Sequence, residues 1–169
     1  MKKIITILVV FVSFLSFSQE IKLKKGEVLV DNQVWLNYEG CGGFSESCSL
    51  TLSSTKEEVI YMKYFDVPGV EPITNYNKTG SLSYIEIKFL GLNKSIELED
   101  ITFKKAVSIV YNAKCINADG TFDEEKVQRL LEKYGTPCSA RLNKTTNNTN
   151  TIIIKEEPRR SGVNINIGR

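Results

Sequence analysis

The chain has 169 residues, with 22 Lys and Arg against 20 Asp and Glu, four cysteines and no histidine. The missing histidine excludes Ser-His-Asp and Cys-His catalysis, HExxH zinc hydrolysis and imidazole pH switching. Carboxylate, Lys, Tyr, Ser and Cys chemistry remain open, and zinc is left with all-cysteine or carboxylate sites.

Lys2 and Lys3 precede an apolar run over residues 4–15, and Ser16-Phe17-Ser18 follows. Charged, apolar and small-residue regions in that order are the pattern of a secretory signal, with residues 1–18 removed before Gln19. The apolar run is shorter than the roughly 20 residues of a spanning helix, so no transmembrane anchor is expected after cleavage. Gln19, not a cysteine, directly follows the cut and no cysteine lies near it, which argues against a lipid anchor. The expected destination is periplasmic or extracellular, and the signal is of bacterial style.

The mature chain, 19–169, is one domain's length and carries 20 basic and 20 acidic groups. Residues 19–140 hold 14 basic against 18 acidic groups, and residues 141–169 hold six against two. Such a balance gives no reason to expect nucleic acid, and Arg159-Arg160 is too short for a phosphate-binding patch.

In chain order, GEVLV and VWLNY flank the turn-rich Asp31-Asn32-Gln33. SLTLSS and VIYMKYF flank residues 55–58, and SYIEIKFL and SIELE flank residues 91–94. Apolar and polar residues alternate with period two in these runs, as strands half-buried on one face require. In the fifth run, SYIEIKFL, Ile85, Ile87 and Phe89 face the core, and Tyr84, Glu86 and Lys88 face water. Three successive hairpins predict an antiparallel meander of about six strands. Residues 66–80 form a long loop, a length usually tied to function or motion.

The period then changes. Phe103, Ala106, Val107 and Val110 fall on one helical stripe, and Val127, Leu130, Leu131 and Tyr134 on another. Asp123 suits an N-cap, Thr121 with Glu124 offers a capping box one step earlier, and Gly135 with Pro137 marks a stop. Neither stripe can bury itself, so both helices are expected on one face of the sheet. The fold class is therefore α+β over residues 19–140. A polar linker around NKTTNNTNT and a basic, β-prone tail complete residues 141–169. The runs TIIIK and GVNINIG suit a terminal hairpin or a strand added to another sheet's edge.

After export, Cys41, Cys48, Cys115 and Cys138 read as disulfides. Of three possible pairings, Cys41–Cys48 closes a loop between strands, and Cys115–Cys138 brackets the second helix. Loop entropy assigns them about 2.5 and about 3.4 kcal/mol, against a whole-domain stability of about 5–15 kcal/mol. Cys41 and Cys48 have six residues between them and lack a following helix, unlike a CxxC redox pair. Gaps of six and 22 residues do not supply zinc knuckles. Gly42, Gly43 and Phe44 form a candidate contact loop, rigidified by the disulfide with Phe44 at its tip.

Residues 117–126, NADGTFDEEK, resemble a calcium loop, but aligning Gly120 with the loop glycine puts Cys115 first and Lys126 last. Both defining carboxylates are then missing, and the helix cap explains the same residues. The Asn-x-Ser/Thr triplets at Asn77, Asn93, Asn143 and Asn147 are formal glycosylation acceptors, which an Asn-rich chain also produces by chance. Trp35, Tyr61, Tyr64 and Tyr84 suggest either an aromatic stripe on an open sheet face or ordinary strand packing.

Nothing calls for a cofactor or metal, and no residue is nominated as catalytic. The expected function is a non-enzymatic, exported binding protein whose partner is a protein or another envelope ligand. Its sheet face, a loop or the tail would make the contact, and its oligomeric state is left open. One alternative is a small envelope hydrolase or inhibitor-like protein working through carboxylates. Another is an assembly unit that adds its tail strand to a neighbour.

Overall fold

The computed structural model describes residues 20–142. The expected signal segment, linker and tail strands lie outside the described residues. Seven strands come first: β1 (Ile21–Lys24), β2 (Glu27–Val30), β3 (Gln33–Gly40), β4 (Ser47–Thr51), β5 (Glu58–Val67), β6 (Leu82–Phe89) and β7 (Lys94–Glu99). Two helices follow, α1 (Phe103–Ala113) and α2 (Glu124–Tyr134). The strands form one antiparallel sheet in simple meander order, β1 to β7. The strand not expected from sequence is β1, the short IKLK run.

Register explains which side chains meet. Ile60, Met62 and Tyr64 of β5 pair with Phe89, Ile87 and Ile85 of β6, which pair with Lys94, Ile96 and Leu98 of β7. This is the helix-facing side, and most of its apolar side chains are buried. The helices complete it with Phe103, Ala106, Val107, Val110, Val127 and Leu130. Each fully buried Val, Leu, Ile or Phe contributes about 1.5–3 kcal/mol by leaving water. Among the described residues no polar or charged side chain is buried in this core.

The sheet curls around the helices. Seven strands at about 4.8 Å spacing span roughly 29 Å laid flat, more than two helices about 10 Å apart would cover. Yet α1 reaches edge strand β1, and α2 reaches edge strand β7. A bulge where β3 passes β2 adds local bend, with Val34 opposite Leu29 and Leu36 opposite Val28. Trp35 is the extra residue. It meets Tyr111 of α1 edge-on, with ring centroids 4.9 Å apart.

Helix ends follow local chemistry. The Thr102 hydroxyl accepts from the Lys105 N–H to cap α1, and Lys114 closes it in the left-handed conformation. Asp123 caps α2 by accepting from the Lys126 N–H at 3.1 Å. The capping box one residue group earlier does not form, because the Thr121 hydroxyl and N–H both donate to Asp119. That turn needs Gly120: its φ is +89°, and an added Cβ would lie 2.3 Å from Leu52 Cδ1.

After α2 the chain crosses the edge of the sheet. The Thr136 N–H donates to the Glu97 carbonyl of β7 at 3.0 Å. The Ser139 N–H donates to the Glu97 carboxylate at 2.9 Å. Residues 138–142 then turn helically on the sheet's other side. There Cys138 and Leu142 pack with Leu82, Tyr84, Phe65 and Val70 in a second, smaller cluster.

This crossing corrects two expectations. Tyr84 is buried under Cys138 and stacked on Phe65 at 4.9 Å, not turned to water. The Cys115–Cys138 disulfide is absent. Cys115 sits in the main core and Cys138 in the cluster across the sheet, both as buried free thiols. A sheet stands between them, and a disulfide tolerates only about 4.4–6.8 Å between Cα atoms.

Candidate interaction surface

Meander topology sends alternate connections to opposite ends of the sheet. The β3–β4 loop, the β5–β6 loop and the β7–α1 joint share one end. The β4–β5 and β6–β7 turns share the other. The first end carries the features that stand out from ordinary packing.

The β3–β4 loop is a closed hairpin. Cys41 and Cys48 are disulfide-bonded, with Cα atoms 4.4 Å apart. The Cys41 N–H donates to the Ser47 carbonyl at 3.1 Å, and the Ser45 N–H to Gly42 at 3.1 Å. Gly40 enters the loop at φ +76°, and a Cβ there would lie 2.3 Å from the Ser47 oxygen. Cys48 is fully buried in the core, so the loop is anchored from below. Gly42, Gly43 and Phe44 are exposed. Phe44 is 106% exposed, and a Cβ at Gly43 would meet nothing within 4 Å. The tip stands in open solvent on a braced base.

The adjacent β5–β6 loop, residues 68–81, is hydrogen-bonded throughout. The Gly69 N–H donates to Thr79, and Val70 and Glu71 both donate to Gly80. The Asn77 side chain donates to the Ser81 carbonyl at 2.8 Å and accepts from its N–H at 2.9 Å. The Thr74 hydroxyl oxygen accepts from the Tyr76 and Asn77 N–H groups. Gly80 has φ +61°, and a Cβ there would be 2.5 Å from the Glu71 carbonyl oxygen. This order presents Tyr76 at 102% and Ile73 at 77% exposure. Phe44, Tyr76 and Ile73 are thus the three most exposed large apolar side chains among the described residues, and all sit at one end. Sequence reasoning found Phe44 and missed the other two, whose only signal was the length of their loop.

A polar groove of about 650 Å³ lies beside these loops, lined by Tyr64, Asp66, Glu71, Tyr76, Glu99 and Asp100 among others. Three of its four carboxylates, Asp66, Glu71 and Glu99, are engaged structurally. Arg141 donates to Glu71 at 2.8 Å and pairs closely with Glu99. Asp66 accepts from the Ser83 hydroxyl at 2.9 Å. The Glu99 hydrogen bond, with help from Cys138 and Glu71, raises the Arg141 pKa despite partial desolvation. This network ties the segment after α2 to both β7 and the β5–β6 loop.

Elsewhere the predicted chemistry resolves into structure. Asp119 closes its turn through Thr121, and those hydrogen bonds lower its pKa. The Asn117 N–H donates to Thr121 and the Gly120 N–H to Asn117, giving a self-contained turn. Among the described residues no group of three or more Cys, Asp or Glu is placed to hold a metal ion. Burial pushes the Cys115 thiol up to about 11. Burial also raises Cys138, against the hydrogen bond from Arg141 that lowers it. The four aromatics do not form one stripe. Trp35 packs on α1 and Tyr64 faces the helix side, whereas Tyr61 and Tyr84 lie on the other side.

No helix among the described residues is long and apolar enough to cross a membrane. Comparison with protein-family models, curated proteins and solved structures gave no significant match. The reading of this surface rests on its geometry alone.

Proposed function

We propose that the chain is an exported, non-catalytic binding protein that engages its partner through the loop end of the sheet. The observation that carries this reading is Phe44, fully exposed at the tip of a disulfide-closed hairpin. A bare aromatic ring in water is unfavourable, and interface anchors are enriched in large side chains presented on rigid supports. The disulfide removes ordering cost from the bound state, because the loop is already fixed. Tyr76 and Ile73 present two further exposed apolar side chains on the β5–β6 loop at the same end of the sheet.

The signal segment supports export, and an oxidising destination agrees with a disulfide in the hairpin. A binding role suits the way Glu71, Glu99 and Asp66 of the groove are held by Arg141 and Ser83. The test is affinity capture from the envelope fraction with the mature chain and its Phe44→Ala variant. The proposal expects a partner retained by the first and lost from the second. Equal recovery with both would remove Phe44 from the interface.

A further inference from the structure

The outer side of the helical layer carries a slot of about 350 Å³ between α1 and α2. Its apolar lining comes from Ile109, Leu130 and Tyr134, and its charged lining from Lys114, Lys126, Arg129 and Lys133. Lys126 is paired with Asp123 at 2.8 Å, and Arg129 with Glu125 at 2.5 Å. Lys114 and Lys133 join no ion pair among the described residues. They lie instead over the rings of Tyr111 and Tyr134, at 4.7 and 5.0 Å. The slot therefore has an apolar lining and two cations without a carboxylate partner. Its complement is a protruding apolar side chain with a carboxylate close by.

The Phe44 hairpin has that chemistry. Phe44 projects from the tip, Glu46 is exposed two residues later, and Cys41–Cys48 holds the base. The hairpin is fixed in the sheet by β3 and β4, and the helices lie between the sheet and the slot. A molecule cannot fill its own slot, so the match is between copies. Resting on the loop end as the binding surface, we infer that the Phe44 hairpin of one copy docks in the helix slot of a second copy. Phe44 meets the apolar lining, and Glu46 is placed among Lys114 and Lys133. The two surfaces differ, so the contact is heterologous and propagates into open chains unless its rotation closes a ring. One aromatic anchor with a few solvent-exposed charges makes a weak contact that salt weakens further.

Sedimentation velocity on the mature chain, from micromolar to millimolar, tests this. Phe44→Ala removes the tip and keeps the slot. Lys114→Glu with Lys133→Glu reverses the slot and keeps the tip. All three positions are exposed, and circular dichroism checks that each variant folds. Wild type is expected to gain mass with concentration and to lose it in high salt. Each variant alone stays monomeric. Their equimolar mixture forms a dimer and nothing larger, because one intact tip meets one intact slot. A monomeric wild type, a mixture that stays monomeric, or self-association of Phe44→Ala equal to wild type would each overturn the inference. A monomeric wild type that still captures a different protein through Phe44 overturns this inference alone and leaves the loop end as a binding surface.

Discussion

Opening the Cys41–Cys48 bond tests how the hairpin is held. The closed loop counts eight residues from Cys41 to Cys48, and loop entropy then assigns the cross-link about 2.5 kcal/mol. Reduction isolates that quantity, because it breaks the bond and removes no atoms from the core. Cys41→Ala with Cys48→Ala adds a second cost. Cys48 is fully buried, and deleting its sulfur resembles the loss of one buried methylene, about 0.8 kcal/mol. The reduced protein should therefore be less stable by about 2.5 kcal/mol and the double variant by about 3.3 kcal/mol. In a domain of this size a loss near 2.5 kcal/mol lowers Tm by about 8–15 °C. Urea unfolding of oxidised, reduced and double-variant protein, with the slope m held common, measures both steps. A reduced protein within about 0.5 kcal/mol of the oxidised one would refute the reasoning. It would mean that β3–β4 pairing alone restrains the loop.

Three further outcomes follow from the core and its turns. Non-reduced peptide mapping should recover the Cys41–Cys48 cross-link and no Cys115–Cys138 cross-link, with two thiols titrating only after unfolding; a Cys115–Cys138 peptide would overturn the path drawn for the chain after α2. Burial raises the Cys115 pKa to about 11, above an unfolded thiol near 8.5, so the buried neutral thiol contributes stability that is full below the unfolded value and lost as pH rises through the folded one. Thermal melts from neutral to strongly alkaline pH should show a shallower alkaline loss in Cys115→Ala, and identical slopes would contradict that origin. Gly120→Ala forces a Cβ against Leu52 at φ +89° and should cost about 1–3 kcal/mol in urea unfolding, whereas a neutral substitution would show that Leu52 yields freely.

Much of this fold was legible because its strands are local hairpins with one buried face. Ile85, Ile87 and Phe89 alternate cleanly, and register did the rest. The strand β1 escaped notice because four residues give two periods at most, too few to distinguish from chance. Trp35 confounded the alternation in β3, since a bulge shifts side chains between faces without any mark in composition. The Tyr84 and Cys138 errors share one cause. Residues 136–142 cross the β7 edge, held by Glu97 and by Arg141 on Glu71 and Glu99, contacts up to 70 positions apart in sequence. No local pattern encodes such pairing. A helix bracketed by two cysteines looked suited to a bridge only while both were assumed to stay on one face.

The candidate surface was half legible. CGGFSESC announced a closed loop through its cysteines and glycines, and Phe44 was the only large apolar residue between them. Ile73 and Tyr76 depend on the hydrogen bonds that fold residues 68–81, centred on Asn77, Thr74 and Gly80. The helix slot was illegible, because Lys114 and Lys133 come together only when α1 and α2 pack.

The central claim is that the loop end makes contact in its native compartment. A photo-reactive phenylalanine analogue placed at position 44 reports this directly in cells that export the protein. A control at exposed Lys56, in the turn at the opposite end, sets the background. The account predicts a discrete ultraviolet-dependent adduct from position 44 and none from position 56. Matching, featureless labelling at both positions would contradict it.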